Sequence, residues 1–361
     1  MLRLLQISDV RLGARQPRLG ERASEQRQRQ FAAFESAVDL AVATPVDLVI
    51  VAGDLFDSSV QSRASVERVA ADLRRLAVAR ITTVILPGPA DVPGRGSIYR
   101  AHDLVALAGI GPEHGSIHVL ADQGEDLALP ALGARVTARF PASNLPDDGW
   151  RIGIIARASR PRDDEIAAAG VDYLAIGGPD QAGSGRAATV SWGSSGAPEL
   201  VQLDGGASGE VLIVTLDEAA PRPAIDRRRV GRTHAERVEV DLPSVADQVA
   251  LVDALAARAD PDLILEVSLV GEWRDDLTLD TAAVEAALAE RFFRIRLSNL
   301  GRPPLSPQPL PPEDTIAGTF LRDLEARISA AEKAGGEGAA GELREALRLG
   351  RRLLAGQETG R

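Results

Sequence analysis

The residues of this chain that could do chemistry are acids that follow short apolar segments. Three segments end in this way: Leu2 to Ile7 before Ser8-Asp9, Leu48 to Ala52 before Gly53-Asp54-Leu55-Phe56-Asp57, and Ile81 to Leu86 before Pro87-Gly88-Pro89-Ala90-Asp91. Each segment has the aliphatic, β-branched composition of a buried strand. Ligands of an open α/β sheet bind at the carboxyl ends of its strands. We therefore expect Asp9 and Asp54 near a common sheet edge.

Carboxylates at such an edge suit a pair of divalent metal ions that activates water for attack on phosphorus. That chemistry needs two ions roughly 3.5–4 Å apart, a bridging carboxylate, and neutral imidazole or amide ligands in the other positions. The four histidines all lie outside the segments described above, at His102, His114, His118 and His234. The sequence thus offers the carboxylates of such a centre without its imidazoles.

The elements that must position these acids alternate between strands and helices from residue 1 to 218, as in a layered α/β domain. Helices are predicted over Gln28 to Ala43 and Val66 to Val78 from their apolar faces. Further strands are predicted at Ile117 to Leu120, Arg151 to Ile155, Asp172 to Ile176 and Val211 to Leu216. The acids therefore fall in loops that a sheet would hold in place.

A second domain is predicted over residues 230–300, with a βαβαβ pattern. Its elements are Arg237 to Val240, Val245 to Arg258, Leu263 to Val270, Thr281 to Arg291 and Phe293 to Leu297. Residues 301–312 hold six prolines and should form an extended linker. Residues 313–361 should form a helical hairpin, Ile316 to Ala331 and Gly341 to Leu354, which either packs back on the domains or docks on another chain.

Composition narrows the class of protein. A chain of 361 residues is too long for one ordinary core. It has no cysteine, which excludes disulfides and thiolate metal sites. A net charge of −11 argues against coating nucleic acid by bulk electrostatics. No apolar run reaches about eighteen residues, and the N-terminus reads as a strand. We expect a cytoplasmic protein without signal peptide or membrane span.

The series of strand-end motifs resembles the calcineurin-like metallophosphoesterases. In that family the blocks run Asp-x-His, Gly-Asp-x-x-Asp, Gly-Asn-His-Asp/Glu, a lone His at a strand end, and Gly-His-x-His. The resemblance implies an α/β fold: a layered sandwich of two β-sheets flanked by helices, with a small α/β capping domain and a C-terminal helical tail.

Two family positions are intact in this sequence and the others are replaced. Asp9 stands at the first aspartate and Asp54 at the bridging aspartate. The replaced positions are Arg11 for the first His, Pro89 for the Asn, Ala90 for the catalytic His, Ala156 for the lone His, and Gly178 and Asp180 for the last two His. The resemblance thus predicts where the site lies, but this sequence lacks most of the metal ligands of the family.

A narrower resemblance is to the nuclease subunit of the bacterial SbcCD type and its YhaO-like relatives. It rests on the opening Leu5-Gln6-Ile7-Ser8-Asp9-Val10-Arg11-Leu12-Gly13, the Gly53 to Asp57 block, Trp192-Gly193-Ser194 near a Tyr-Pro-Gly-Ser turn of the family, and the order of cap and helical tail. This resemblance implies a homodimer, a role in DNA repair, and C-terminal helices that grip the coiled-coil base of an SMC-like ATPase.

The replaced ligands favour a pseudo-enzyme with no catalytic residue and no metal cofactor. Losing even a supporting residue of a metal site weakens binding by one to two orders of magnitude. A guanidinium at Arg11 repels a divalent ion and can neutralise Asp9 or Asp54 itself. In this hypothesis Arg11 pairs with one of these acids. Alternatively, Asp9 and Asp54 only cap loops at the sheet edge.

Two other interpretations stay open. The first is an active metal-dependent DNA nuclease, in which Asp9, Asp54 and Asp180 hold one Mg²⁺ or Mn²⁺ through oxygens alone. The second is a scaffold that senses DNA or phosphate through Arg11, Arg157 and Arg186, because arginine forks suit phosphate oxygens. Further arginines either extend that surface or form a solvated face balanced by Glu21 and Glu25: Arg15, Arg18, Arg22, Arg27 and Arg29.

Overall fold

The computed structural model describes residues 1–92, 96–120, 124–142, 145–146, 149–178, 182–201, 203, 209–220, 222–273, 277–302, 310–334 and 337–354. The strands are β1 (Leu2–Ser8), β2 (Leu48–Ala52), β3 (Thr82–Leu86), β4 (Ile117–Val119), β5 (Asp126–Leu129), β6 (Ala134–Thr137), β7 (Trp150–Ala156), β8 (Tyr173–Gly177), β9 (Gly183–Ala187), β10 (Val190–Ser194), β11 (Glu210–Leu216), β12 (Ala224–Arg229), β13 (His234–Asp241), β14 (Leu263–Val270) and β15 (Arg294–Asn299). The α-helices are α1 (Ala23–Ala43), α2 (Arg63–Val78), α3 (Ile98–Ala101), α4 (Leu104–Ala108), α5 (Asp163–Ala167), α6 (Gln248–Ala256), α7 (Thr281–Leu288), α8 (Ile316–Lys333) and α9 (Glu337–Leu354). Short 3-10 helices span Pro17–Arg22, Pro130–Leu132, Leu242–Ser244 and Ala289–Arg291.

The first sheet holds the three segments that carry the acids. Its six strands lie in the order β12-β11-β1-β2-β3-β4. Strands β1 to β4 run parallel, and β11 and β12 join antiparallel. Ser8 pairs with Ala52, and Ala52 with Leu86, so three strands end at the same level. This register places the loops after β1, β2 and β3 side by side.

The second sheet has six strands in the order β5-β6-β7-β8-β10-β9. Its centre is parallel, and Ala156 at the end of β7 pairs with Gly177 at the end of β8. Strand β10 contains Trp192, Gly193 and Ser194, the stretch that carries part of the narrower resemblance. The backbone of β10 pairs with β8 and β9, so these residues lie inside the sheet.

The core lies in two layers on either side of the first sheet. Strands β2 and β3 are buried at every position. On one face, Ile7 and Val51 belong to a cluster with Phe34 of α1 and Leu73 of α2. On the other face, Leu4 and Ile50 cluster with residues of the second sheet such as Ile152 and Tyr173. Alternate residues of each strand thus serve opposite layers, which confirms two β-sheets flanked by helices.

The chain divides into two compact units by its internal contacts. One holds Met1–Glu236, Asp260–Leu265 and Glu290–Arg294, and the other holds Arg237–Ala259, Glu266–Ala289 and Ile295–Arg361. Strands β13, β14 and β15 form a three-stranded sheet in that order. The predicted strand at Leu263–Val270 is confirmed. Helix α6 begins later than predicted because the carboxylate of Asp247 accepts from Ala250 N and caps it there.

The C-terminal hairpin has a small core of its own. Helices α8 and α9 meet through Leu321, Leu324, Ile328 and Leu347, with Leu310 and Leu343 packed against them. The prolines from 303 to 309 lie outside the described residues. Within the part of the chain that is described, none of the helices is both long and apolar enough to cross a lipid bilayer.

Candidate functional site

The candidate site lies in the first compact unit, at the edge where the two sheets come into backbone contact. A Cβ on Gly177 would stand 2.0 Å from the carbonyl oxygen of Ala52, so only glycine permits this approach. A Cβ on Gly53 would stand 2.9 Å from Asp9 Oδ1 and 3.5 Å from the methyl group of Ala156. The ends of β1, β2, β7 and β8 therefore converge, as the strand-end motifs predicted.

The Arg11 guanidinium occupies this edge beside Asp54. Its Nη2 lies 3.0 Å from Asp54 Oδ2, and the two side chains are 32% and 1% exposed. The backbone fixes the geometry, because Arg11 N donates to the carbonyl of Asp54 at 2.9 Å and Leu12 N to that of Leu55 at 3.0 Å. A cation on a flexible arm is thus held against a buried carboxylate.

The second oxygen of Asp54 is also engaged. Asp54 Oδ1 accepts from the backbone N of Ala90 at 2.8 Å. A Cβ on Gly88 would stand 2.1 Å from that same oxygen, so the loop after β3 can close over Asp54 only with glycine there. At the position where the metallophosphoesterase motif has its catalytic histidine, Ala90 contributes a backbone donor. Both oxygens of Asp54 are therefore hydrogen-bonded or ion-paired within the protein.

Asp9 is held in a backbone conformation that few non-glycine residues adopt. Its φ is 51°, and that of Arg11 is also 51°. Asp9 is 8% exposed, and its Oδ2 accepts from the backbone N of Gly178 at 2.6 Å. Such left-handed residues cluster at functional sites, where the surrounding structure must hold them. The motif that resembles an active centre thus also has two residues in a strained backbone conformation, Asp9 and Arg11.

Two further acids surround Asp54. Burial raises the pKa of Asp57, against the opposing effect of the Arg11 cation. Asp91 is fully buried and accepts from Gly88 N at 2.8 Å, Phe56 N at 3.0 Å and the Tyr99 hydroxyl at 2.6 Å. Burial raises the pKa of Asp91, although these hydrogen bonds lower it. Asp91 therefore joins the loops after β2 and β3.

The other residues predicted for the site do not all lie at this edge. Arg157 follows Ala156 and is exposed; its N donates to the carbonyl of Gly177 at 2.8 Å, and its guanidinium lies 4.8 Å from the ring centroid of Phe140. Arg186 lies on edge strand β9, level with Ser191 and hence with Tyr173 at the far end of β8. Arg186 is thus not brought to the site. Pro179 and Asp180 lie outside the described residues.

The donors at this edge do not fit the two-metal centre that the resemblance to metallophosphoesterases implies. Among the described residues there is no group of three or more His, Cys, Asp or Glu arranged to hold a metal ion. The bridging position, Asp54, already has the Arg11 guanidinium on one oxygen and a backbone amide on the other. Ala90 and Ala156 bring methyl groups where nitrogen ligands would be needed.

A buried polar network behind the site was not predicted. Gln6 Nε2 donates to the carbonyl of Gly193 at 2.9 Å, and the Tyr173 hydroxyl donates to Gln6 Oε1 at 2.5 Å. The backbone N of Ser8 donates to Ser195 Oγ at 2.8 Å. These bonds join the two sheets. Their only sequence signal was Gln6 and Ser8, polar residues inside an apolar strand.

Comparisons with known proteins give one match in sequence and several in structure. No protein-family model matches the chain. Over 106 residues it is 33% identical to the DNA double-strand break repair protein Mre11 of Saccharolobus solfataricus, a stretch that covers 29% of this chain and 27% of that protein. The chain is therefore similar to a DNA repair protein over about a quarter of the relative's length.

Three solved structures each align with 63% of this chain at low similarity. TT1561 of Thermus thermophilus has a TM-score of 0.40 and 15% identity, with 99% of that chain covered. A novel archaeal phosphodiesterase has a TM-score of 0.35 and 12% identity, with 100% covered. GAP50, the anchor in the inner membrane complex of Plasmodium, has a TM-score of 0.36 and 11% identity, with 84% of that chain covered. The architecture described above rests on the strand pairing of the chain itself.

Proposed function

We propose that this chain is a non-catalytic member of the metallophosphoesterase superfamily, an SbcD- or YhaO-like subunit that binds an SMC-type ATPase and contacts DNA. The observation that carries the proposal is the Arg11 guanidinium, 3.0 Å from Asp54 Oδ2 at the edge where the sheets meet. The order of the strand-end motifs and the stretch similar to Mre11 support the family; the residues within the motifs argue against its reaction.

The chemical reason is a shortage of ligands and of proton donors. Metal-assisted hydrolysis of a phosphodiester needs an ion to generate hydroxide and to stabilise charge on the leaving oxygen. A general acid must also lie within hydrogen-bond reach of the leaving group. Ala90 and Ala156 can do neither, and Arg11 neutralises the carboxylate that would bridge the ions. The frame of the site is therefore retained as structure.

A nuclease assay tests the absence of catalysis. The chain is incubated with linear duplex and single-stranded DNA in the presence of Mn²⁺, and we expect no cleavage above a buffer control. Robust cleavage that disappears with Asp54→Ala would overturn the proposal. Asp54→Ala is the matched variant because it removes the buried carboxylate that stands at the bridging position.

Metal titration separates this proposal from a nuclease with a reduced, carboxylate-only site. That alternative needs Asp9, Asp54 and Asp180 to bind Mg²⁺ or Mn²⁺ through oxygens. We expect no calorimetric signal for Mn²⁺ at millimolar concentration, because Arg11 already compensates Asp54. Saturable Mn²⁺ binding that is lost with Asp180→Ala would favour the alternative.

Contact with DNA is proposed at the exposed arginine of the same edge. Arg157 is exposed and follows the last residue of β7, whereas Arg11 is already paired with Asp54. Binding through phosphates weakens steeply as salt rises. We expect salt-dependent DNA binding that is lost when Arg11 and Arg157 are both replaced by alanine. Arg63→Ala, at a 79% exposed side chain on α2, is the control; equal loss there would leave Arg157 without a specific role.

Docking of the ATPase is proposed at the C-terminal hairpin. Ile316, Phe320 and Leu349 are 92%, 45% and 50% exposed although they belong to amphipathic helices. Affinity capture of an SMC-type ATPase should fail for a chain that ends before Pro303, and should be reduced by Phe320→Asp in the full chain. Val249→Asp, at a 68% exposed position on α6, is the control. Unchanged capture by the shortened chain would contradict the proposal.

A further inference from the structure

Two arginines in the loop after β7 lie over aromatic rings. The guanidinium carbon of Arg157 is 4.8 Å from the ring centroid of Phe140, and that of Arg160 is 4.8 Å from the ring centroid of Trp192. All four residues belong to the first compact unit. Both arginines are exposed, whereas both rings are partly buried. Each guanidinium is therefore the outer member of a cation–π pair.

The rings beneath the arginines are fixed by the second sheet. Phe140 and Trp192 pack against a buried apolar cluster built from β7, β8 and α5. Glycines of β9 leave room for the indole, since a Cβ on Gly185 would stand 2.9 Å from Trp192 Cζ2 and one on Gly183 would stand 3.3 Å from the same ring. A side chain held on a fixed ring loses less conformational freedom when a ligand binds to it. The two guanidinium groups are thus held in place before any ligand arrives.

Net charge does not explain what this loop could bind. Residues 157–165 hold three arginines and three acids. Arg160 Nη1 lies 2.7 Å from Asp163 Oδ1. Arg162 pairs with Asp164 at 3.0 Å and with Glu165 at 3.8 Å. Attraction for a polyanion by bulk charge is therefore weak here, and the affinity must come from another contact.

Stacking provides that contact. Unpaired bases stack on aromatic rings and on guanidinium planes, and they do so with little regard to sequence because every base has a π-face. A duplex presents only the edges of its bases in the grooves. A single strand can instead turn a base face towards a guanidinium. Arg157 and Arg160 thus suit two unpaired bases better than they suit a duplex.

The stacking surface adjoins the candidate site. Arg157 follows Ala156, and its backbone N donates to the carbonyl of Gly177 at 2.8 Å. The methyl group of Ala156 lies 3.5 Å from the position of a Cβ on Gly53. Within the described part of the chain, no acidic side chain lies within ion-pair distance of Arg157. A strand stacked on this loop would therefore run beside the edge where the two sheets meet.

We propose that Arg157 and Arg160, each held on its ring, bind single-stranded DNA by stacking on unpaired bases. The bases contribute more to this binding than the phosphates do. The inference rests on the DNA contact proposed above and deepens it, because it names the form of DNA that is bound. It uses neither Asp9 nor Asp54.

Fluorescence anisotropy of the full chain tests it with two labelled strands of equal length. One is oligothymidine, and the other consists of abasic sites, which keep the phosphates and lack the bases. We expect oligothymidine to bind at least about tenfold more tightly, because stacked bases supply most of the affinity. A duplex of the same length should bind more weakly than oligothymidine.

A charge-preserving variant locates the contact. Arg157→Lys combined with Arg160→Lys should weaken oligothymidine binding about tenfold and leave binding of the abasic strand unchanged, because lysine keeps the charge without the planar guanidinium. Arg162→Lys is the matched control. Its side chain is 75% exposed, and among the described residues it has no contact with an aromatic ring.

The outcomes separate this inference from the function on which it rests. Equal binding of the two strands, tighter binding of the duplex, or unchanged oligothymidine binding in the double lysine variant overturns the inference and leaves a DNA contact in place. An equal loss with Arg162→Lys does the same. No binding of any of the three probes overturns both. If the circular dichroism of the double variant differs from that of the wild type, Arg157→Lys and Arg160→Lys are compared singly.

Discussion

At the scale of single residues, a guanidinium takes the position beside Asp54 that a divalent ion would need. Burying a carboxylate is costly unless a charge and hydrogen bonds compensate it. Asp54 is 1% exposed and receives one contact from Arg11 and one from the backbone of Ala90. A buried acid at this position is thus stable without a metal ion. Arg11 compensates it as a positively charged neighbour on the loop after β1.

This pairing predicts an asymmetric mutant cycle. Arg11→Ala should lower the free energy of unfolding by about 2 kcal/mol, because it leaves a buried carboxylate without its cation. In an Asp54→Asn background the same change should cost little, since no buried charge remains. Urea unfolding followed by tryptophan fluorescence measures both, as Trp150 and Trp192 lie in the first compact unit. Equal costs in the two backgrounds would show that Arg11 acts through packing.

His118 predicts a pH dependence. It lies on β4 with its Nε2 2.8 Å from Ser116 Oγ, and burial lowers its pKa from the ordinary value of 6.5. A lowered histidine pKa contributes stability above pH 6.5 that is lost as the pH falls through the folded-state value. The unfolding free energy of the wild type should therefore drop more between pH 7.5 and pH 5 than that of His118→Gln. Parallel curves for the two proteins would contradict this.

At the scale of elements, continuous apolar runs predicted the buried strands well. Strands β1, β2 and β14 were found from composition alone, since most of their residues are aliphatic and buried. Strands β9 and β12 were not predicted. The first reads Gly-Ser-Gly-Arg-Ala and the second ends in three arginines, because edge strands carry polar and small residues that composition assigns to loops.

The candidate site was predictable as a set of strand ends but not as a set of contacts. Parallel register brings Asp9 and Asp54 to one edge, as expected from the motifs. The pairing of Arg11 with Asp54 was one of two hypotheses, and geometry was needed to choose between them. Arg186 was misplaced because a strand that reverses direction carries its residues to the far end of the sheet. The role of Asp91 was not predicted, because it depends on contacts with Phe56 and Tyr99 that only the folded loops bring together.

Asp91 joins two loops, and this element-scale contact predicts another pH dependence. Tyr99→Phe removes a donor to the buried Asp91 carboxylate and should cost about 1.5–3 kcal/mol at pH 7.5. The pKa of Asp91 is raised above 3.8 in the folded protein. The folded protein therefore loses stability as the pH rises through the folded-state pKa of Asp91. Without the Tyr99 hydroxyl that pKa rises further. The cost of Tyr99→Phe should therefore be smaller at pH 4 than at pH 7.5.

The double variant provides the control for this contact. Asp91→Asn removes the titrating group, so adding Tyr99→Phe to it should cost the same at both pH values. Urea unfolding at pH 4 and pH 7.5 measures the four proteins. A pH-dependent cost that survives in the Asp91→Asn background would place the titrating partner elsewhere.

At the scale of the whole molecule, the C-terminal hairpin has its own source of stability. Its apolar core draws on residues between Leu310 and Leu347, and the helices α8 and α9 supply each other's partners. The apolar cluster of the hairpin contains no residue of the three sheets, so we expect their cores to persist when both helices are removed. The hairpin is thus suited to carry a binding function while the sheets keep their own cores.

This independence predicts the behaviour of a chain that ends at Arg302. Its thermal midpoint should lie within about 3 °C of that of the full chain, because a loss of 1 kcal/mol shifts a midpoint by about 2–4 °C in domains of this size. Its far-ultraviolet circular dichroism should lose the signal of two helices of 18 residues each. Phe320→Ser in the full chain should keep both the midpoint and the helical signal. A midpoint more than about 5 °C lower in the shortened chain would mean that the hairpin stabilises the sheets, and failed ATPase capture by that chain would then reflect unfolding instead of a missing binding surface.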